Sequence, residues 1–523
     1  MKKKAGIILS AILIFAAAAA AQSPPSQALS LTLAECVERA LKSNLDLSIE
    51  AFNPSLAEES KRITLEQFLP QFEISTDYYD RQIPSTWGVE GQTVHSKYDS
   101  MGFQLSTHLV TGTDVVLSGY SSMTDTNRAY TTINPSYDSQ LVFSLSQKLL
   151  KGFGPAVNRY ETTKAESVYD QSLGTLKAAV LSTVYQVEAA YWNLVNARES
   201  LRVIEASLAQ SRDTLARDRE AARIGSKTSV DVLSSETEVA SRETSLLTYQ
   251  ASLEKAENQL KVLLAIPVEK GEGGADERVR IIPADKPSAE RRTIALDEAL
   301  RTARKERPEI ANAESQLADA GLDVRYNRNQ LLPDLSLNFA IRNPGQSGIK
   351  YVFQDDNYLT GIVIDKIEGS RWDSISNIFK QHYNNMFVTL TLNVPLANML
   401  SRAALARARL SQDKARLTLE KARRDLEAEV LDAVKDLETA GRKIEASTRY
   451  RELMEKKVEA ANEKYQLGLV DREWLFSYQS SLDQAKSSEI QAVTGYRIAL
   501  AKLEQVMGTT IKAKGLKFRG FGF

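Results

Sequence analysis

The chain has 523 residues, enough for two or three ordinary domains or for one unusually elongated one. A balance of 66 Lys plus Arg against 67 Asp plus Glu gives a formal charge of −1, so neither a nucleic-acid partner nor an acidic solvating tail is suggested. Hydrophobic residues reach 43% but aromatics only 7%, which argues against one large aromatic core and for long helices rich in Ala, Leu, Glu, Arg and Lys.

Residues 1–21 read as a cleaved secretory signal: Lys2, Lys3 and Lys4 precede an apolar run from Ala5 to Ala21 that ends in small residues. A retained anchor is disfavoured, because the run is shorter than the ~20 residues that span a bilayer. Cleavage after Ala21 leaves Gln22 first, with no cysteine nearby to carry a lipid, and the single Cys36 has no partner for an intramolecular disulfide. No later stretch of 18 apolar residues occurs, so a membrane-spanning form of the mature chain has to be a β-barrel.

The chain then duplicates itself. Leu33, Glu35, Ala40 and Asp46 fall on Leu296, Glu298, Ala303 and Glu309, and Leu69-Pro70 on Leu332-Pro333, all at an offset of 263. Leu141, Phe143 and Leu145 match Val388, Leu390 and Leu392 at 247, and Arg223-Ile224-Gly225 matches Gln466-Leu467-Gly468 at 243. Two structural repeats are predicted, 22–266 and 294–508. A linker at 267–293, rich in Gly, Pro and charge between Pro267 and Pro287, joins them, and a tail follows at 509–523. Each repeat holds a short helix, a Leu-Pro stop, strands (within 71–149 and 335–395), a very long helix, a Gly turn and a returning helix.

Period two marks the strands. Phe72, Ile74 and Tyr78 alternate with Glu73, Ser75 and Asp77; Leu141, Phe143 and Leu145 with Val142, Ser144 and Ser146. In the second repeat, Leu335, Leu337, Phe339 and Ile341 alternate with Ser336, Asn338, Ala340 and Arg342, and Val388, Leu390, Leu392 and Val394 with Thr389, Thr391 and Asn393. Leu105 to Met123 reads as an extra hairpin around Thr111-Gly112-Thr113. The pattern suits a water-filled barrel, but a soluble antiparallel sheet with one wet face gives the same alternation and on that ground alone is commoner.

In the helices, Val180, Val184, Val187, Tyr191 and Leu194, then Leu201, Ile204, Leu208, Ser211 and Leu215, repeat at spacings of four and three, as in a heptad seam. Val430, Val434, Leu437, Gly441 and Ile444 repeat the rhythm 243 residues after Val187, Tyr191, Leu194, Arg198 and Leu201. No proline interrupts 155–224 or 401–467, so at 1.5 Å per residue each helix reaches ~100 Å. Gly225 and Gly468 close these helices as left-handed caps, and helices return through Val232 to Leu264 and Leu475 to Met507.

No catalytic, cofactor or metal constellation stands out. His95, His108 and His382 lack the spacing of zinc ligands, and Gly152-Phe153-Gly154 before Pro155 reads as a strand-to-helix turn rather than a phosphate cradle.

The ordered set of two Leu-Pro stops, the junctions Ser146-Gln147-Lys148-Leu149 and Asn393-Val394-Pro395-Leu396, and the tips Arg223-Ile224-Gly225-Ser226 and Tyr465-Gln466-Leu467-Gly468 resembles the TolC-like outer-membrane efflux proteins. The resemblance covers nearly the whole mature chain. It implies an α+β membrane protein of a Gram-negative outer membrane. Such a protein is a homotrimer whose chains each give four strands to a 12-stranded β-barrel and their helices to a long α-helical barrel of coiled-coil hairpins. It implies a passive exit duct, for efflux of small molecules or type I secretion of polypeptides, driven by an inner-membrane pump through a periplasmic adaptor. Trimerisation also follows from physics, because four strands cannot close alone and open edges in hydrocarbon cost several kcal/mol per unpaired group. Ile224, Gly225, Ser226, Leu467, Gly468 and Leu469 then meet the adaptor. By the same resemblance Tyr465 and Asp231 latch the periplasmic gate. Asp471 and Glu473 are candidate substitutes for a missing acidic ring, whose positions hold Trp474 and Ser477, and Trp474 is a further gate candidate. The other readings are a periplasmic adaptor-type coiled-coil protein, against which the duplicated strands argue, and an exported enzyme, against which the absent site argues.

Overall fold

A computed structural model describes residues 28–85, 93–128, 131–267, 279–288, 291–380, 383–467, 469–470 and 472–515. The expected signal segment 1–21, His382, Gly468 and Asp471 lie outside the described residues.

The first repeat runs β1 (Ala28–Leu31), α1 (Leu33–Ser43), α2 (Leu45–Glu66), β2 (Gln71–Pro84), β3 (Thr93–Leu109), β4 (Thr113–Thr126), β5 (Ile133–Lys148), α3 (Pro155–Asn158), α4 (Tyr160–Arg223) and α5 (Ser229–Leu263). After β6 (Arg280–Pro283) the second runs α6 (Leu296–Glu306), α7 (Pro308–Asn329), β7 (Asp334–Phe353), β8 (Val363–Ile367), α8 (Arg371–Phe379), β9 (Asn385–Asn393), α9 (Met399–Gln466), α10 (Arg472–Val506) and α11 (Thr510–Ala513). Matching helices have matching lengths: 11 residues in α1 and α6, 22 in α2 and α7, 35 in α5 and α10. Local chemistry sets their starts. Thr32 and Glu35 form a capping box on α1, and Pro308 opens α7, where a missing N–H costs nothing.

Chain contacts divide the protein into two units. One takes the chain up to Ser48, Val180–Thr302 and Glu429–Leu516. Its core is the expected seam, with Val180, Val184, Val187, Tyr191 and Leu194 fully buried beside Val430 and Leu437. The stretch expected as a linker carries β6, which pairs in parallel with β1. Asp285 beyond it accepts from Leu33 N (2.8 Å) and the Tyr191 hydroxyl (2.7 Å). The expected tail folds too: α11 lies there, and Lys514 Nζ reaches the buried Glu188 at 3.1 Å. Burial raises the Glu188 carboxyl above its usual range, and the Lys514 ammonium opposes that shift.

The other unit takes Ile49–Ala179 and Ala303–Ala428 and holds the large sheet. Its order is β2-β3-β4-β5-β7, with β9 along one part of the free edge of β7 and the short β8 along another. All these pairings are antiparallel. Where the resemblance implies four strands per chain, six strands here have nine or more residues. The expected hairpin at 105–123 supplies the difference, because β3 and β4 pair from Ser96–Thr126 to Leu109–Thr113 and join the same sheet. No helix among the described residues is long and apolar enough to cross a membrane.

The register sorts the sheet into two faces. Phe72, Leu105, Leu117, Phe143, Ile341 and Met386 lie in one cross-strand row on one face; Glu73, Gln104, Ser118, Val142, Arg342 and Asn385 form the next row on the other. The apolar row is open to its surroundings, from 37% at Ile341 to 68% at Met386 among its exposed members. Helix α8 lies on this face where the row turns small: Ser139 Oγ sits 2.5 Å from Ser374 Oγ and 2.8 Å from Ser121 Oγ, and Arg371 pairs with Asp99. At Gly345 a Cβ would collide with the Ser374 carbonyl, so only glycine lets α8 approach β7 this closely. Gly345→Ala should therefore destabilise the α8 contact by about 1–3 kcal/mol, as overpacking does. The check is faster amide exchange in 371–379 with the helices unchanged; equal exchange in variant and parent would show that α8 tolerates the methyl group.

Candidate functional site

The two hairpin tips close with the same turn. Ser226 N donates to Ala221 O at 2.9 Å and, 243 residues on, Leu469 N donates to Lys464 O at 3.0 Å. This six-to-one bond is the signature of a Schellman cap. Gly225 has a φ of +76°, the left-handed region in which a side chain is strained. Around the turns Ile224, Val230, Leu233, Leu467, Leu469 and Trp474 are all more than half exposed. Solvent-exposed apolar side chains grouped at a turn mark a contact surface rather than a core.

Behind this surface lies a polar cluster. The buried Asp218 of α4 accepts from Ser235 Oγ of α5 at 2.6 Å, receives Lys227 Nζ from the turn at 2.7 Å, and pairs with the buried Arg472 guanidinium at the start of α10. Lys227 Nζ also donates to the Tyr465 hydroxyl at 2.8 Å, so one carboxylate ties the first hairpin to both ends of the second tip. The Arg472 guanidinium is pushed below its ordinary value, by burial first and by the Arg217 charge second, and it stacks on Phe476 at 5.1 Å. Its Nε and Nη1 are buried and make no hydrogen bond among the described residues. Farther along the hairpins Asp483 accepts from Ser207 Oγ (2.7 Å) and Arg242 Nη1 (2.8 Å), a second buried bridge between the two hairpins.

The residues expected at a gate are dispersed within one chain. Asp231 belongs to its own helix start: its Oδ2 accepts from Thr228 N at 2.9 Å and from Thr228 Oγ1 at 2.8 Å, a capping box on α5. Those two bonds, backbone first, hold its carboxyl below the usual range, so the cap persists until the pH falls through that lowered value. Tyr465 meets Lys227 instead of Asp231. Glu473 and Trp474 are exposed, with Trp474 edge-on to Tyr478 at 6.0 Å. Sequence reasoning missed Asp218, Lys227, Ser235 and Arg472. A signal for Asp218 was present, since the seam 208, 211, 215 continues to 218 and the duplicate of Asp218 is the buried Ala461. An acid at a seam position needs a partner.

A sequence profile of the family described as Outer membrane efflux protein matches residues 114–265 and 299–509. Among solved structures, the fold is similar to the Campylobacter jejuni CmeC outer membrane channel, at 16% identity over 92% of this chain and 89% of that one, with a TM-score of 0.65. It is also similar to a membrane protein from Pseudomonas aeruginosa (18%, 92% and 91%, TM-score 0.65). The outer membrane protein VceC of Vibrio cholerae is a further structural relative (14%, 91% and 96%, TM-score 0.61). Among curated proteins none matches significantly.

Removing Asp218 strips the counter-charge from a guanidinium that stays buried. Breaking one side of such a pair costs about 3–5 kcal/mol. Asp218→Ala should therefore lower the opening free energy of the tips, read by amide exchange at 215–235 and 472–480, far more than Asp231→Ala. Equal exchange in the two variants would mean that the cluster does not hold the tips.

Proposed function

We propose, for a chain that belongs to the outer membrane efflux protein family, how it works as the outer-membrane channel of a tripartite efflux pump. Localisation in the outer membrane, with a long periplasmic helical extension, follows from that membership. The adaptor-type alternative lacks support, since the family match covers both repeats. Transport here is passive: cargo, small molecules or polypeptides, is driven in by the inner-membrane pump.

In the assembly we infer, three chains join their sheets into one barrel and their hairpins into one tunnel. The face of the apolar row through Phe143 meets outer-membrane lipid, and the opposite face, which carries Ser144, lines the water-filled lumen. The tips, with Ile224, Gly225, Ser226, Leu467, Gly468 and Leu469, dock the periplasmic adaptor. The carrying observation is the pair of identical turns ringed by exposed apolar side chains and backed by buried charge. The latch runs through Asp218, Lys227, Tyr465 and Arg472. Asp231, engaged in its cap, supports the tip's shape, and the exposed Glu473 and Trp474 stand beside the entrance, with Asp471, outside the described residues, next to them in sequence.

Three measurements test this reading. Ile224→Asp with Leu467→Asp should abolish adaptor co-purification and export while trimers still reach the outer membrane; normal capture would remove the tips from the docking surface. Lys227→Met with Tyr465→Phe should raise single-channel conductance and sensitivity to bulky antibiotics, and Asp231→Ala alone should not; the reverse order would return the latch to Asp231. Phe143→Arg should cost ~2–4 kcal/mol of barrel stability near the bilayer midplane, whereas Ser144→Arg is tolerated. Greater loss of assembly from Ser144→Arg would invert the faces.

A further inference from the structure

We infer that each chain gives six spanning strands to the barrel, so that the trimer closes an 18-stranded barrel wider than a 12-stranded one. The inference rests on the trimer proposed above and on the sheet itself. β2, β3, β4, β5, β7 and β9 contain 14, 17, 14, 16, 20 and 9 residues. A tilted strand needs about 9–11 residues to cross a bilayer, so all six are long enough and the five-residue β8 is not.

The added hairpin β3–β4 crosses the full height of the sheet. β3 pairs with β2 from Ser106 at one end to Thr93 at the other, and β4 pairs with β5 from Gln147 to Ser136. Its turn is fastened where the strands give way to helices: Gly154 N donates to Thr111 O at 3.1 Å, and Lys148 N to Gly112 O at 3.2 Å. His108, three residues before that turn, sits 2.6 Å from Asp114 and 3.2 Å from Asn158 of α3. A loop lying outside the membrane or folded into the lumen would not share this base with the spanning strand β5 and with α3.

The faces agree. Phe103, Leu105 and Leu117 fall on the face of Phe72 and Phe143, while Gln104 and Ser118 fall on the face of Glu73 and Ser144. The rows from Phe103 to Leu105 carry no charge on that face; farther along β3 the same face holds Asp99, which pairs with Arg371 of α8, and Lys97. The two free edges are then those of β2 and β9, one at each side of the six, and three copies pair edge to edge into an even number of strands.

Barrel diameter grows roughly linearly with strand number, so 18 strands give a bore about half as wide again as 12, in the range where an open aqueous channel remains. The barrel therefore does not limit cargo size in this protein. Closure and selection fall to the helical end.

The test uses the full chain in lipid with Cys36 replaced by Ser, carrying single cysteines. Gln104→Cys and Ser118→Cys should react with a water-soluble maleimide. Phe103→Cys and Leu105→Cys should not, and a fluorophore attached there in detergent should be quenched by bromolipid after reconstitution. Native mass spectrometry of the same samples should give three chains. Equal aqueous labelling of all four positions in an assembly of three would overturn the six-strand inference alone. A mass other than three chains would overturn the trimer, and with it the count of 18.

Discussion

The free edges of the large sheet, along β2 and β9, present backbone N–H and C=O groups that no other strand pairs among the described residues. In water those groups are solvated at little cost. In hydrocarbon each costs several kcal/mol, and the apolar row beside them gains nothing from burial until the edges are satisfied. Assembly and membrane insertion are thus one requirement, and the rest of the chain is arranged around it. The row of Phe72, Leu105, Leu117, Phe143, Ile341 and Met386 is register-bound, because a shift of one residue would carry a strand's apolar members to the other face.

The helices obey a different constraint. Long seams of Val, Leu and Ala exclude water from one stripe and leave the opposite face charged, so most acidic and basic residues along α4 and α9 are solvated or paired at the surface. Duplication then gives two hairpins with the same seam. Two identical hairpins specify no particular contact between them, and the protein breaks the identity at the tips: Asp218 replaces the small Ala461, and Arg472 and Lys227 stand where the other copy has Ser229 and Val470. A buried acid shared by two cations and a hydroxyl accepts few geometries, so it fixes how the hairpins meet.

Charge burial recurs where chain segments distant in sequence must be held. Asp285 joins the start of α1 to Tyr191, and Glu188 receives Lys514 from the last helix. Burial pushes the Tyr191 phenol and the Glu188 carboxyl upward, which marks both as dry. These contacts fasten segments of weak periodicity, around Asp285 and Lys514, to the seam helix α4.

By itself the sequence determined everything that depends on local periodicity. The offsets 263 and 243 fixed which helices are equivalent, period two fixed which strand residues share a face, and the seams fixed the buried side of each helix. Those features are set by 3.6 and 2.0 residues per repeat and need no distant partner. The capping box of Thr228 and Asp231 is equally local, a hydroxyl and an acid three residues apart at a helix start. Only the tertiary structure decided how many strands share the sheet, because β3 and β4 become members through hydrogen bonds to β2 and β5 that no periodicity encodes. It alone brought Arg472 to Asp218 across 254 positions of chain, and it alone turned the expected linker into a strand beside β1. Pairing between segments far apart is chosen by the energy of the whole packed unit, and a single chain read in order carries no record of that choice.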